Sequence, residues 1–215
     1  MSLNATKYGL ALHTTSPELG LAINNFAEIN RAQTWDLGRD LSTQLHQLLA
    51  EFIKPQTWQD LAFLAVAKGP GSFTGTRIGI VTARTLAQQL NIPLFAISTT
   101  AAIAYQQKLN NPAIPEGTDI AVQMPAQRGQ IFGSIYKTSP KGTGILTLLP
   151  DSLYNLEQWQ HTLTHWANPY HLIFADTHTA RSVTSLLQLA YQDWQQGQNP
   201  TWAEALPFYG QHPVE

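Results

Sequence analysis

The chain has 215 residues, 43% of them hydrophobic and 12% charged, with a net charge of −2, enough to bury a core in one or two small domains. It contains no cysteine, which excludes a disulfide framework, thiolate zinc and a cysteine nucleophile, and which suits a reducing cytoplasm. The near-neutral charge argues against a protein that grips RNA unaided. Residues 1–8 carry no signal-peptide pattern, and the longest apolar run, Leu61–Ala67, is too short to cross a bilayer.

In chain order, KYGLAL (7–12) and LGLAINNF (19–26) read as two strands around a turn, and residues 27–35 as a third, which makes a meander. Residues 40–53 follow as a helix capped by Asp40 or Ser42, with Leu41, Leu45, Leu48, Leu49 and Phe52 on one face. LAFLAVA (61–67) is apolar throughout, as a strand buried on both faces would be. A tight loop, a helix over 75–90, a short strand at 94–98 and a helix from Thr99 come next. NNPAIPEGT (110–118) is the linker candidate and divides the chain into lobes 1–108 and 109–215. Beyond it, 120–124, 129–137 and GILTLL read as strands, 155–166 as a helix, 171–175 as a strand and 179–196 as a helix. Both halves open on strands and continue in strand–helix alternation, the plan of two related α/β lobes.

GPGSFTGTRIG (69–79) is the most informative stretch. Gly69, Pro70, Gly71, Ser72, Phe73, Thr74 and Gly75 force a sharp path after a buried strand and feed a helix start. Such a start offers unpaired N–H groups to an anion, with Arg77 and Lys68 adding charge; the same residues also serve as a plain tight turn with Thr74 or Thr76 as cap. The loop lacks the Gly-Lys-Ser/Thr ending of a Walker A sequence. In the helix that follows, Gly75, Gly79, Ala83 and Ala87 recur every fourth residue and form a smooth stripe. With Ile78, Val81, Leu86 and Leu90 beside it, the helix needs cover on more than one side, either from helix 40–53 or from a second protein. No acidic residue falls between Asp60 and Glu116, whereas Lys68, Arg77, Arg84 and Lys108 do.

Three other constellations point to chemistry. His161 and His165 stand one helical turn apart, as in zinc peptidases, but position 162 is threonine where such enzymes carry glutamate. An exposed histidine pair is the commoner meaning. Ser72 lies among glycines without the G-x-S-x-G elbow or a nearby acid. Trp159, Trp166, Trp194 and Trp202 suit packing better than base stacking in a chain without a basic setting.

GPGSFTGTRIG after an apolar strand and before a small-residue helix resembles the TsaB (YeaZ-like) family. LALHTTS (10–16), IPLFAISTTAAIA (92–104), MPAQRGQIFGSIY (124–136) and PFYG (207–210) resemble further family segments in the same order. The resemblance implies a two-lobed actin/Hsp70/sugar-kinase-like (ribonuclease H-like) α/β fold. It also implies a non-catalytic subunit that pairs with a TsaD-like catalytic protein, joined by a TsaE-like ATPase, in moving a threonylcarbamoyl group onto an adenosine beside the tRNA anticodon. Contact with tRNA would then run only through the complex. Pairing in the family uses the first two helices of the first lobe, here about 40–53 and 75–90. The expected docking surface is therefore Leu41, Leu45, Leu48 and Phe52 with Gly79, Ala83 and Ala87, and Ala83→Trp is expected to leave the fold intact while abolishing pairing. Self-pairing through the same face, and an ATP or ADP at the interface, are compatible with it.

The departures from the family also carry information. His13 stands where the family has aspartate, which in kinase-like relatives holds magnesium-bound water near a phosphate, and neutral imidazole does not replace that charge. Pro125, Gln127 and Gln130 stand where members commonly show Asp, Arg and Glu. Loss of charge from the cleft argues against catalysis and against carrying nucleotide binding over from the family, and His13 speaks against the alternative of a stand-alone ATPase or phosphotransferase; no metal is expected.

Overall fold

Two sheets built on one plan organise the chain. The computed structural model describes residues 6–115, 117–138 and 144–210. Residues 1–5, most of the segment read for a signal peptide, and Glu116 of the expected linker lie outside them. Strands β1 (Tyr8–His13), β2 (Glu18–Asn24) and β3 (Asn30–Asp36) form an antiparallel meander. Strands β4 (Leu61–Ala67) and β5 (Leu94–Ile97) add parallel to β1 on its other side, giving the order β3-β2-β1-β4-β5. The second sheet repeats this with β6 (Asp119–Pro125), β7 (Ile131–Thr138) and β8 (Ile145–Tyr154) as meander and β9 (Tyr170–Phe174) parallel to β6, in the order β8-β7-β6-β9. Two such sheets in one chain make the two-lobed α/β fold of the actin and sugar-kinase class.

Strands β1, β2 and β4 are buried on both faces, which is why β4 reads as an unbroken apolar run. Side chains alternate across it. Leu10, Leu12, Leu64 and Val66 pack under α1 (Leu41–Phe52) and α2 (Phe73–Leu90). Ala11, Phe63 and Ala65 pack under α5 (Val183–Gln195), where small residues admit the helix closely. In the second sheet, α3 (Thr99–Asn110) lies on Ile120, Val122 and Tyr136. The opposite face holds Trp159 of α4 (Leu156–Thr164), fully buried against Ile131 and Ile135.

A division at 108/109 falls between the sheets, but the helices ignore it. Helix α3, which that point cuts in its last turn, covers the second sheet, and α5, from the second half of the chain, covers the first. The lobes are thus joined by an exchange of helices as well as by the connecting segment. Among the described residues no helix is long and apolar enough to cross a membrane.

Candidate functional site

The glycine-rich loop is built against the turn that follows β1. Ser72 N–H donates to Thr15 O at 2.7 Å, and Thr14 Oγ1 donates to Gly75 O at 2.8 Å. The helix cap is Ser72, whose Oγ accepts from Gly75 N–H at 3.2 Å, in place of the expected Thr74 or Thr76; Thr76 Oγ1 instead donates to Ser72 O at 2.7 Å. Neither Asp40 nor Ser42 makes a side-chain cap to α1. Thr99 N–H donates to Gly69 O, and Phe208 N–H to Lys68 O, which ties the loop to α3 and to the chain's closing segment. Two of the N–H groups expected to meet an anion, those of Ser72 and Gly75, are therefore spent on the fold itself.

The small-residue stripe faces inward. A Cβ at Gly75 would lie 2.1 Å from Thr14 O, and one at Gly79 would lie 2.1 Å from Thr14 Oγ1. Ala83 and Ala87 are fully buried. The glycines are there because β1 and its turn pass directly beneath the first turns of α2. The expected docking surface is corrected accordingly: Gly79, Ala83 and Ala87 belong to the interior of the first lobe, as do Leu41, Leu45 and Phe52. Leu48 is half-buried and packs on that same core. The cover that α2 needed comes from its own sheet and from the closing segment, where Trp202 and Ala205 pack on it.

What remains outside is a different set of residues. Between α1 and α2 runs an open groove of about 490 Å³, walled by Ser42, His46 and Leu49 from one helix and by Ile78, Val81 and Leu86 from the other, with Trp58 at its margin. Val81 is 62% exposed. It sits two residues from both Gly79 and Ala83, hence on the opposite side of the helix at ~100° per residue. An apolar residue opposite a stripe of small ones was the available signal for this face. Arg77 is exposed beside it, its guanidinium 5.4 Å from the Phe73 ring.

Among the described residues, the cleft between the lobes carries few ionisable groups, and Asp176 is the one carboxylate in the small cavity between the loop, the turn after β1 and residues 176–179. His13 is fully buried at the end of β1, paired in register with Gly20. Neither ring nitrogen has a hydrogen-bond partner among the described residues. Burial alone pushes its pKa from 6.5 to about 3, so the ring stays neutral. Thr15, two residues on, spends its hydroxyl on Thr99 at 3.1 Å and Thr179 at 3.4 Å, closing the lobes over the turn. A cavity of about 500 Å³ lies between the loop, Pro125–Gln127 and the segment Phe208–Gly210, and no acidic residue lines it. Among the described residues no three His, Cys, Asp or Glu side chains converge on a point that could hold a metal ion.

The rival constellations resolve in the same way. His161 and His165 stack at 4.1 Å on an exposed helix face, and His165 Nδ1 is engaged with His161 O at 2.8 Å. Ser72 Oγ is a helix cap. Trp159 is core, Trp166 donates to Asp119 Oδ2 at 2.9 Å, and Trp202 lies under Arg84. Sequence reasoning gave no hint of a buried polar cluster at the start of α3. There Thr100 hydrogen-bonds Asp151, Tyr136 OH lies 2.8 Å from Thr100 Oγ1, and Ser134 donates to Thr100 at 3.0 Å. Burial raises the pKa of both Asp151 and Tyr136 above the ordinary values.

Comparison with known proteins accords with this geometry. The "tRNA threonylcarbamoyladenosine biosynthesis protein TsaB" of Bacillus subtilis is 31% identical over 173 residues, 78% of this chain and 71% of that protein. The chain belongs to the TsaB family. The protein of the same description from Escherichia coli is 34% identical over 83 residues, 39% of this chain and 34% of its own. Residues 37–147 also match the family model "TsaD: tRNA N6-adenosine threonylcarbamoyltransferase". The crystal structure of YeaZ from Pseudomonas aeruginosa superposes with a TM-score of 0.76 at 19% identity, over 94% of this chain and 99% of that one, which shows the shared fold.

Proposed function

We propose that this chain is a non-catalytic subunit in the formation of threonylcarbamoyl-adenosine in tRNA, and that it acts by binding a TsaD-type protein through the outer face of α1 and α2. The observation that carries this reading is the open apolar groove around Val81 on the two helices whose inner faces already hold the lobe together. Desolvating such a groove favours association, at about 25 cal/mol per Å² of apolar surface removed from water. The neutral, buried His13 and the acid-free cavity beside the loop support the non-catalytic part. They weigh against the stand-alone ATPase or phosphotransferase. A TsaE-type ATPase joins the pair, and tRNA is reached only through the assembly.

The test is to mix the purified chain with the TsaD-type protein of the same cell and to read molar mass by light scattering during size exclusion. A mixed species of summed mass is expected from the wild type. Val81→Arg is expected to keep the native circular-dichroism spectrum and to lose the mixed species. Separate elution of the wild-type proteins, with or without nucleotide and the TsaE-type subunit, overturns the reading.

A further inference from the structure

Two imidazoles stand side by side on the outer face of α4. The start of that helix is fixed by a reciprocal cap, in which Gln158 N–H donates to Asn155 Oδ1 at 2.7 Å and Asn155 N–H donates to Gln158 Oε1 at 3.0 Å. Its rotation is fixed by Trp159 and Leu163, both buried in the second lobe. His161 and His165 each follow one of those residues by two positions, about 200° round the axis, so both rings stand in solvent. Their centroids are 4.1 Å apart and their planes 29° from parallel.

Hydrogen bonding decides which nitrogen is free. His165 Nδ1 lies 2.8 Å from His161 O. A carbonyl oxygen only accepts, so Nδ1 carries the proton and donates it, and Nε2 keeps its lone pair. A carbonyl behind one ring nitrogen is the arrangement that orients a histidine towards a metal through the other. Among the described residues no hydrogen bond holds the His161 ring, which is free to turn towards the same point. The surroundings suit a cation. His161 lies in the last turn of α4, where the helix dipole is negative. Glu157 stands one turn before it and lines, with Leu153, Tyr154 and His161, an open cavity of about 530 Å³. From residue 142 to residue 180 there is no lysine or arginine, whereas Asp151, Glu157 and Asp176 fall inside.

We propose that His161 and His165 form a two-imidazole site for a divalent transition ion of the copper, nickel and zinc class, with water completing its coordination. Imidazole nitrogen selects such ions over magnesium and calcium, which seek oxygen. Two protein ligands do not close a shell as structural zinc sites do, and position 162 is threonine where a peptidase carries its glutamate base. The site therefore docks an exchangeable ion and carries no peptidase chemistry. It lies on the second lobe, away from the α1–α2 groove, so it stands or falls independently of the functional reading above.

Calorimetric titration of the full chain, free of any histidine tag, with copper, nickel, zinc and magnesium chlorides in a non-chelating buffer at pH 7.5 tests the site. One equivalent of the first three ions is expected to bind, copper most tightly, and magnesium not at all. His161→Ala and His165→Ala are each expected to weaken binding by about tenfold or more while keeping the native circular-dichroism spectrum, since both side chains are exposed. His171→Ala, on β9, is expected to bind as wild type does. The electron paramagnetic resonance spectrum of the copper-loaded chain is expected to show two nitrogen ligands, and that of either α4 variant to lose this pattern. Absence of saturable copper or zinc binding up to about 1 mM overturns the proposal. So does wild-type affinity in either His161→Ala or His165→Ala, or loss of the site in His171→Ala.

Discussion

Replacing His13 by leucine is expected to remove a large part of the acid sensitivity of this fold. The imidazole is fully buried, with both nitrogens unpartnered among the described residues. The unfolded chain takes up a proton there near pH 6.5, while the native site refuses one until about pH 3. The native pKa lies below the unfolded one, so the stability tied to the neutral ring is fully present above pH 6.5. It is lost as pH falls towards 3, at about 1.4 kcal/mol per pH unit. Between pH 7.5 and pH 5 this site alone removes about 2 kcal/mol. The other six histidines are common to wild type and variant and cancel in the comparison. Leucine has nearly the same volume and no polar atom to leave unsatisfied, so at pH 7.5 the variant is expected to be at least as stable as wild type. Urea unfolding, followed in parallel by tryptophan fluorescence and circular dichroism at both pH values, reads the difference. With a slope of about 2 kcal/mol per molar, the wild-type midpoint is expected to drop by roughly 1 M more than that of His13→Leu. Equal drops in the two proteins would refute the burial argument. A variant that falls more steeply than wild type would refute it too.

Gly75→Ala is expected to cost about 2–3 kcal/mol in thermal unfolding, because its Cβ meets Thr14 O, a backbone atom that cannot step aside. Ala83→Trp is expected to abolish soluble folded protein, judged by size exclusion and near-UV circular dichroism, since residue 83 is fully buried; this reverses the outcome expected from the sequence. Asp151→Asn is expected to raise the urea midpoint at pH 7. Its native pKa is raised by burial, so the charged form is a burden that lifts only as pH falls through that value, and the wild-type deficit should narrow in acid.

The order and type of the helices and strands were legible because each segment is locally consistent. Leu61–Ala67 is apolar throughout because β4 is covered on both faces, and Pro93 and the Pro-rich segment after Asn110 mark real ends. The orientation of α2 was not legible. Periodicity locates a smooth stripe but not what lies against it, and an intramolecular approach of Thr14 demands the same glycines as a docking helix would. The exchange of α3 and α5 between lobes was hidden for a similar reason. Each helix is amphipathic or apolar enough for either sheet, and the pairing is settled by three-dimensional fit, such as the close passage of Ala180 O against Gly20. His13 stood out only as a departure from the family; that it is a buried, unpartnered ring follows from its alternation with Ala11 on the face that α5 covers.

The measurement that bears most directly on the central claim is threonylcarbamoyl-adenosine formed on tRNA by the reconstituted TsaD-type and TsaE-type proteins, with the adenylate donor supplied and this chain varied. Product is expected with wild type and with His13→Leu, and only background with Val81→Arg or with the chain left out. Full product without the chain, or with Val81→Arg, would contradict a role exercised through the α1–α2 face. Loss of product with a folded His13→Leu would contradict the non-catalytic reading.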